Sequence, residues 1–213
     1  DGKTLDLIFE VGSGRGGRPA LTFEGRALFA PEPESDGFTG GATVSMNIVK
    51  PFEASELEIM AAGAMPNGTT GIAGGSIHAD ALTAIGAPSL TIQGGSSKVI
   101  LRFGAALSAG EVALTATQLA NALPGGGIVV EQGAIIDTIG KGKVSRDADM
   151  GYMRDVTTAL ILSNGNLSVR MTGDAGPAIE IGTCPSGECE GETRLVSEGT
   201  MALATSGSFQ IAD

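Results

Sequence analysis

The sequence predicts an all-β chain of the β-solenoid type, on three observations. Glycine is abundant, with 34 residues in 213, while Trp is absent and Tyr occurs once. Short apolar runs alternate with polar residues and are broken by Gly, Ser, Asn and Asp. The phase of those runs recurs at 22 residues: Leu90 and Ile92 are followed by Val112 and Leu114, then by Ala134 and Ile136, and Ile179 and Ile181 are followed by Met201 and Leu203. A repeat near this length suits one coil of a solenoid, which buries its inward residues against the coils on either side. Such a chain is expected to be a structural rod rather than a frame around a chemical pocket.

Taken in order, Leu5–Val11 reads as the first strand, with Leu5, Leu7, Phe9 and Val11 on one face. Leu21–Phe23 and Arg26–Phe29 follow a Gly-rich break at 12–17. Pro31 and Pro33, with Glu32, Glu34 and Asp36, predict an exposed loop over about 31–41. Ala42–Ile48 alternates cleanly, Val44, Met46 and Ile48 against Thr43, Ser45 and Asn47, and Pro51 ends it because proline cannot donate to a sheet ladder. Leu57–Met60 is a further strand, and 62–75 reads as turn or loop. Strand periodicity is best over 81–140. Residues 141–157 are charged and polar and predict an insertion leaving the coil. Strands resume at Leu160–Leu162 and Leu167–Met171 and continue to the end. Helix is nearly absent, and Thr115–Leu123 is the one plausible short turn of it, stopped by Pro124 and Gly125. Residues 1–213 are read as a single solenoid segment, and the strand pattern left open after Ile211 predicts that it belongs to a larger chain.

Composition narrows the function. The chain is 42% hydrophobic with a mean hydropathy of +0.20, too apolar for a disordered chain, and its core must come mainly from Val, Ile, Leu, Ala and Met. A formal charge of −11 repels nucleic acid and anionic lipid, so neither is an expected partner. No apolar stretch approaches the ~18 residues of a membrane span, so no membrane insertion is expected.

Each chemical motif competes with a plainer reading. Gly12-Ser-Gly-Arg-Gly-Gly17 matches the dinucleotide-binding pattern, but Pro19 and the strand-like Leu21–Phe23 follow where that mechanism needs a helix N-terminus. Asp147, Asp149 and Asp155 offer carboxylates to a calcium ion, yet Gly151 occupies a ligand position, no Glu closes the loop, and Arg146 and Arg154 offset the charge. His78 is the single histidine, so a Ser-His-Asp triad or a His-based metal site has one candidate residue, read here as a surface or coil-corner side chain. With no Trp and only Tyr152, a sugar-stacking groove is poorly supported. Asn67-Gly-Thr69 and Asn166-Leu-Ser168 are sequons of a kind common in such compositions. No catalytic constellation, cofactor or metal is therefore expected.

The stretches "IHADALTAIGAPSLTIQGG", "GAALSAGEVALTATQ" and "GGIVVEQGAIIDTIGKG" resemble the large filamentous-haemagglutinin-like proteins, and the likeness continues in "ALILSNGNLSVRMTG", "PAIEIGT" and "RLVSEGTMALATSGSFQIAD". The resemblance covers about two thirds of the chain; the Asn-Pro-Asn-Gly type of secretion signature is not among its residues. It implies a right-handed parallel β-helix and secretion by a dedicated outer-membrane transporter (two-partner secretion). It also implies an extracellular or outer-cell-surface location, and adhesion to a host or neighbouring cell through glycan or protein. The function expected on this basis is a structural and adhesive segment of a secreted filamentous surface protein, not an enzyme. A polysaccharide-active enzyme of similar fold is the alternative, and a carboxylate cluster with basic residues in one groove would favour it. An extracellular matrix or surface-layer assembly module is a third possibility.

Cys184 and Cys189 are the only cysteines, in Cys-Pro-Ser-Gly-Glu-Cys. Two thiolates without a nearby His are too few for a metal. Pro185 and Gly187 shape a turn able to bring the Cα atoms within disulfide range, and a secreted chain favours oxidation over two free thiols. An intrachain disulfide closing a small loop at a coil corner is expected.

Overall fold

Alternation within each strand decides which side chains reach the interior, and strand register decides where the sheets lie. The computed structural model describes residues 4–11, 20–21, 41–48, 55–66, 73–95, 97–117, 127–142, 144, 158–167, 169, 176–185 and 187–212. The strands are β1 (Thr4–Val11), β2 (Ala20–Leu21), β3 (Gly41–Ile48), β4 (Ser55–Met60), β5 (Ala73–His78), β6 (Ser89–Gln93), β7 (Lys98–Leu101), β8 (Ala106–Ser108), β9 (Glu111–Ala116) and β10 (Gly127–Glu131). They continue with β11 (Ile135–Asp137), β12 (Thr158–Ser163), β13 (Ala178–Thr183), β14 (Arg194–Val196), β15 (Thr200–Thr205) and β16 (Phe209–Ile211). Among the described residues one helix, α1 (Ala79–Ala84), separates β5 from β6. Among the described residues no helix is long and apolar enough to cross a membrane.

These strands form three sheets, in the orders β1-β3-β6-β9-β12-β15, β16-β13-β10-β7-β4-β5-β2 and β14-β11-β8. Their inward faces share one core. Leu57, Ile59, Leu101, Val130 and Ile179 from the second sheet meet Leu90, Ile92, Val112, Leu114 and Leu160 from the first, and Leu107 and Ile136 close the third side. Burying each large aliphatic side chain contributes about 1.5–3 kcal/mol. Leu5 and Leu7 pack against this core while Asp6 between them is exposed and Ile8, on the same outward phase, is 62% exposed, as the predicted alternation of the first strand requires.

Two findings correct the expected right-handed parallel β-helix (β-solenoid). First, β12 runs antiparallel to both neighbours in its sheet, β9 and β15, whereas a parallel helix lays every coil down in one direction. Second, β5 lies between β4 and β2, so the second sheet does not follow sequence order there. The described residues are mostly β, in three sheets with mixed pairing in the first. The 22-residue phase is right for one step only: Leu90 pairs with Val112 and Ile92 with Leu114. Val112 and Leu114 then pair with Leu162 and Leu160, while Ile136 belongs to the third sheet, opposite Leu107 and Leu195. Likewise Ile179 and Ile181 pair with Phe209 and Ile211, not with Met201 and Leu203. Alternation reports the face of a strand; it does not report which sheet the strand joins.

The predicted helical turn is also displaced. Thr115 and Ala116 end β9, and residues 118–123 lie outside the described residues. The helix instead forms at Ala79–Ala84, where Ala-Asp-Ala-Leu-Thr-Ala combines high propensity with buried Ala79, Leu82 and Ile85 on one side. The strand β5 begins at Ala73, inside the stretch 62–75 read as loop. Of the two predicted insertions, residues 31–40 lie outside the described residues and Gly41 opens β3. In 141–157, Lys141, Gly142 and the buried Val144 are described and the rest are not.

Glu111 and Asn164 are buried polar groups matched across strands and turns. Ser89 and Ser163 each donate a hydroxyl hydrogen to fully buried Glu111, at 3.0 and 3.1 Å. Asn164, 4% exposed, ties three turns together. Its amide nitrogen donates to the carbonyls of Thr138 and Gly142, and its oxygen accepts from Thr138 Oγ1 and from the Glu198 backbone N–H. Filling its hydrogen-bonding capacity is what permits an amide at such a site.

Candidate functional site

The outward face of the second sheet carries the densest charge among the described residues. In Ser-Glu-Leu-Glu-Ile-Met, Leu57 and Ile59 point into the core, so Glu56, Glu58 and Met60 face out. Glu58 lies opposite Ser76 on one side and Ile100 on the other. Two residues beyond Ile100 comes Arg102, whose backbone N–H donates to the Ile59 carbonyl at 2.9 Å. On the next strand Val130 pairs with Leu101 in the core, which turns Glu131 outward beside Arg102.

The Arg102 guanidinium joins these strands. Its Nε donates to Glu58 Oε2 at 3.0 Å, with Nη2 in an ion pair with the same oxygen at 2.9 Å, and its Nη1 donates to Glu131 Oε1 at 2.7 Å. Glu56 stands 3.9 Å from Nη2. Ser76 Oγ donates to the other Glu58 oxygen at 2.6 Å, and the Phe103 backbone N–H donates to Glu131 Oε2 at 2.8 Å. The Glu58 and Glu131 side chains are 0% and 8% exposed and that of Arg102 is 17% exposed. Burial alone pulls the guanidinium's pKa down. The hydrogen bond and charge of Glu131, followed by those of Glu58, outweigh it and hold the group above its ordinary value.

A groove of about 300 Å³ opens over this cluster. Glu58, Arg102 and Glu131 form its charged lining, and Met60, Met65, Phe103 and Pro185 its apolar walls. Met65 is 85% and Phe103 44% exposed, so the rim presents sulfur and an aromatic ring to solvent. Two carboxylates against one guanidinium (−2 + 1) give the lining a formal charge of −1, and Glu56 adds a third carboxylate beside the cluster but outside the lining.

Pro185 belongs to the cysteine loop, which therefore borders the groove. Cys184 and Cys189 stand at disulfide distance with Cα atoms 5.7 Å apart, and the loop is tightened by the Gly187 N–H donating to the Cys184 carbonyl at 3.1 Å. His78 ends β5 in the row that also holds Met60. Its Nε2 donates to the Ala64 carbonyl at 2.9 Å, since a carbonyl only accepts; the ring props the turn at the groove's edge. Asp147, Asp149, Asp155, Tyr152, Asn67 and the 12–17 glycine motif lie outside the described residues, and Asn166 is exposed. Among the described residues no group of three or more His, Cys, Asp or Glu is arranged to hold a metal ion.

Sequence reasoning missed Glu58, Arg102 and Glu131. Alternation already placed Glu56 and Glu58 outward and Arg102 in phase with Ile100. The missing information was that the strands bearing them are neighbours, at sequence separations of 44 and 29 residues. No family model, no curated protein and no solved structure matches this chain.

Proposed function

We propose that this chain is a structural and adhesive segment of a secreted surface protein of the filamentous-haemagglutinin-like kind. In that role it presents a rigid acidic surface to a host or neighbouring cell, and an outer-membrane transporter exports it. The observation that carries this reading is the internal pairing of the groove's charges. Arg102 is held by Glu58 and Glu131, and Glu131 is held again by the Phe103 backbone. Carboxylates engaged in this way clamp strands together, whereas a general acid–base pair needs a proton within reach of a substrate. Joining a core that is aliphatic among the described residues with cross-strand clamps suits a mechanical part, and the cysteine pair at disulfide distance suits an oxidising exterior.

A second reading, a polysaccharide-active enzyme, is favoured by the same groove, because carboxylates and a basic residue line it together. One experiment separates the two. Beads coated with the chain are tested for retention on cell layers, and the soluble chain is incubated with neutral and acidic polysaccharides. Retention above that of an unrelated acidic protein, without release of reducing or unsaturated sugar ends, is the expected result. Glycan turnover abolished by Glu131→Gln would overturn the adhesive reading in favour of the enzyme.

A further inference from the structure

We propose that the groove above Arg102 receives one basic side chain, Lys or Arg, from a partner protein. This rests on the adhesive reading and names the chemistry of its contact. The first argument is charge. Glu58 and Glu131 leave the lining at −1 after Arg102 is counted (−2 + 1), Glu56 adds a carboxylate 3.9 Å from Nη2, and the whole chain carries −11, so the groove attracts a cation and repels a uronate or phosphate. The Arg102 fork already points at Glu58 and Glu131 and is not presented to an incoming anion.

The second argument is capacity. A carboxylate has about four acceptor positions. Glu131 uses one oxygen on Arg102 Nη1 and the other on the Phe103 N–H. Its side chain is 8% exposed and lines the groove, so its remaining lone pairs lie where a ligand's donor would enter.

The third argument is shape. A groove of about 300 Å³ sits at the low end of small-ligand sites. It admits a single long side chain rather than an oligosaccharide. Met60, Met65 and Pro185 offer apolar wall to the methylene stem of Lys or Arg, and the Phe103 ring at the rim offers a face to its cationic head.

The probes are blocked pentapeptides, Gly-Gly-Arg-Gly-Gly and the same peptide with neutral citrulline replacing Arg. They are titrated into the full chain labelled with 13C at the methionine methyls. The expected result is saturable shifts at Met60 and Met65 with the Arg peptide, at a dissociation constant in the range of about 1–10 mM, and none with citrulline. Phe103→Ser, at a half-exposed position, is expected to weaken binding roughly two- to fivefold, and Glu131→Gln to weaken it further. Should Glu131→Gln fail to fold, Phe103→Ser and the citrulline peptide decide the matter. Absence of saturation, or equal binding of the citrulline peptide, overturns the proposal. Bead retention that persists in that case sinks only this inference and leaves the adhesive reading standing.

Discussion

Ser163 donates its hydroxyl hydrogen to Glu111 Oε2 at 3.1 Å, across 52 residues of sequence and across an antiparallel junction. Ser89 does the same to Oε1 from the parallel side. Glu111 is thus held between strands of opposite direction, with no solvent exposure. Ser163→Ala is expected to lower stability by about 1–3 kcal/mol, because it takes a donor from a buried acceptor. Urea unfolding at constant m checks this. A change below ~0.5 kcal/mol, the scale of an ordinary surface substitution, would show that the contact carries no weight.

Leu114 stands between Ile92 and Leu160 in register and is fully buried. Leu114→Ala is expected to cost about 2–5 kcal/mol through lost transfer energy and a residual cavity. Leu114→Ile conserves volume and is expected to cost less than about 1.5 kcal/mol. Thermal and chemical unfolding of both variants should rank them in that order.

Arg102→Ala leaves Glu58, with no exposed side-chain area, facing Glu131 without the intervening cation. The expected loss is about 3–5 kcal/mol, the cost of breaking a buried pair from one side. Arg102→Lys keeps the charge but not the fork, and should fall between the two. The folded-state pKa of Arg102 is raised. Its contribution is therefore fully present below the unfolded value and is lost only as pH climbs through the folded one. No loss from this group is expected between about pH 6 and 10. Arg102→Ala should accordingly show the same deficit at both ends of that range; a deficit that vanishes toward pH 10 would contradict the assignment.

Gly133 and Gly140 separate backbone strain from crowding. Both have positive φ, +78° and +70°. A Cβ at Gly140 meets nothing within 4 Å, whereas at Gly133 it lies 2.6 Å from the Glu190 carbonyl and 2.9 Å from the Phe103 ring. Gly140→Ala is expected to cost about 1 kcal/mol from conformation alone. Gly133→Ala should cost at least about 1 kcal/mol more, on the scale of overpacking. Equal losses in calorimetry would show that the loop at Glu190 yields freely.

The cysteine pair is expected to be oxidised in native material. Mass spectrometry without reductant should show no free thiol, and replacing both cysteines with Ala should cost about 2 kcal/mol on the loop-entropy scale for so short a loop. Two free thiols in oxidised native material would count against both the bond and the exported compartment.

What was legible in the sequence follows from where the information sits. Strand-scale alternation lies within a few residues, so Leu5–Val11, Ala42–Ile48 and Leu160–Leu162 read correctly as strands. The direction of β12 does not: Leu162 opposite Val112 and Leu160 opposite Leu114 satisfy the same inward pattern whichever way the strand runs. The helix Ala79–Ala84 was hidden by its length, since six residues with two apolar anchors fit a strand window equally well. The Glu58–Arg102–Glu131 cluster was hidden because each member sits unremarkably on an outward strand position; only adjacency of three strands makes it a site.

The reversal at β12 also sets an order in time. The pairing of β6 with β9 closes loops of 22 residues, as between Leu90 and Val112. Joining β12 to β9 closes loops from 42 residues, between Ala116 and Thr158, up to the 52 between Glu111 and Ser163. Each doubling of loop length adds about 0.6 kcal/mol of closure entropy. A strand that enters from the opposite direction is not reached by simply extending the pairing that precedes it. Loop-closure entropy therefore favours pairing of β6 with β9 before β12 joins, which leaves the edge of β9 and Glu111 uncovered until then. Until that edge is covered it is open to strand exchange between molecules, as is any unpaired edge strand.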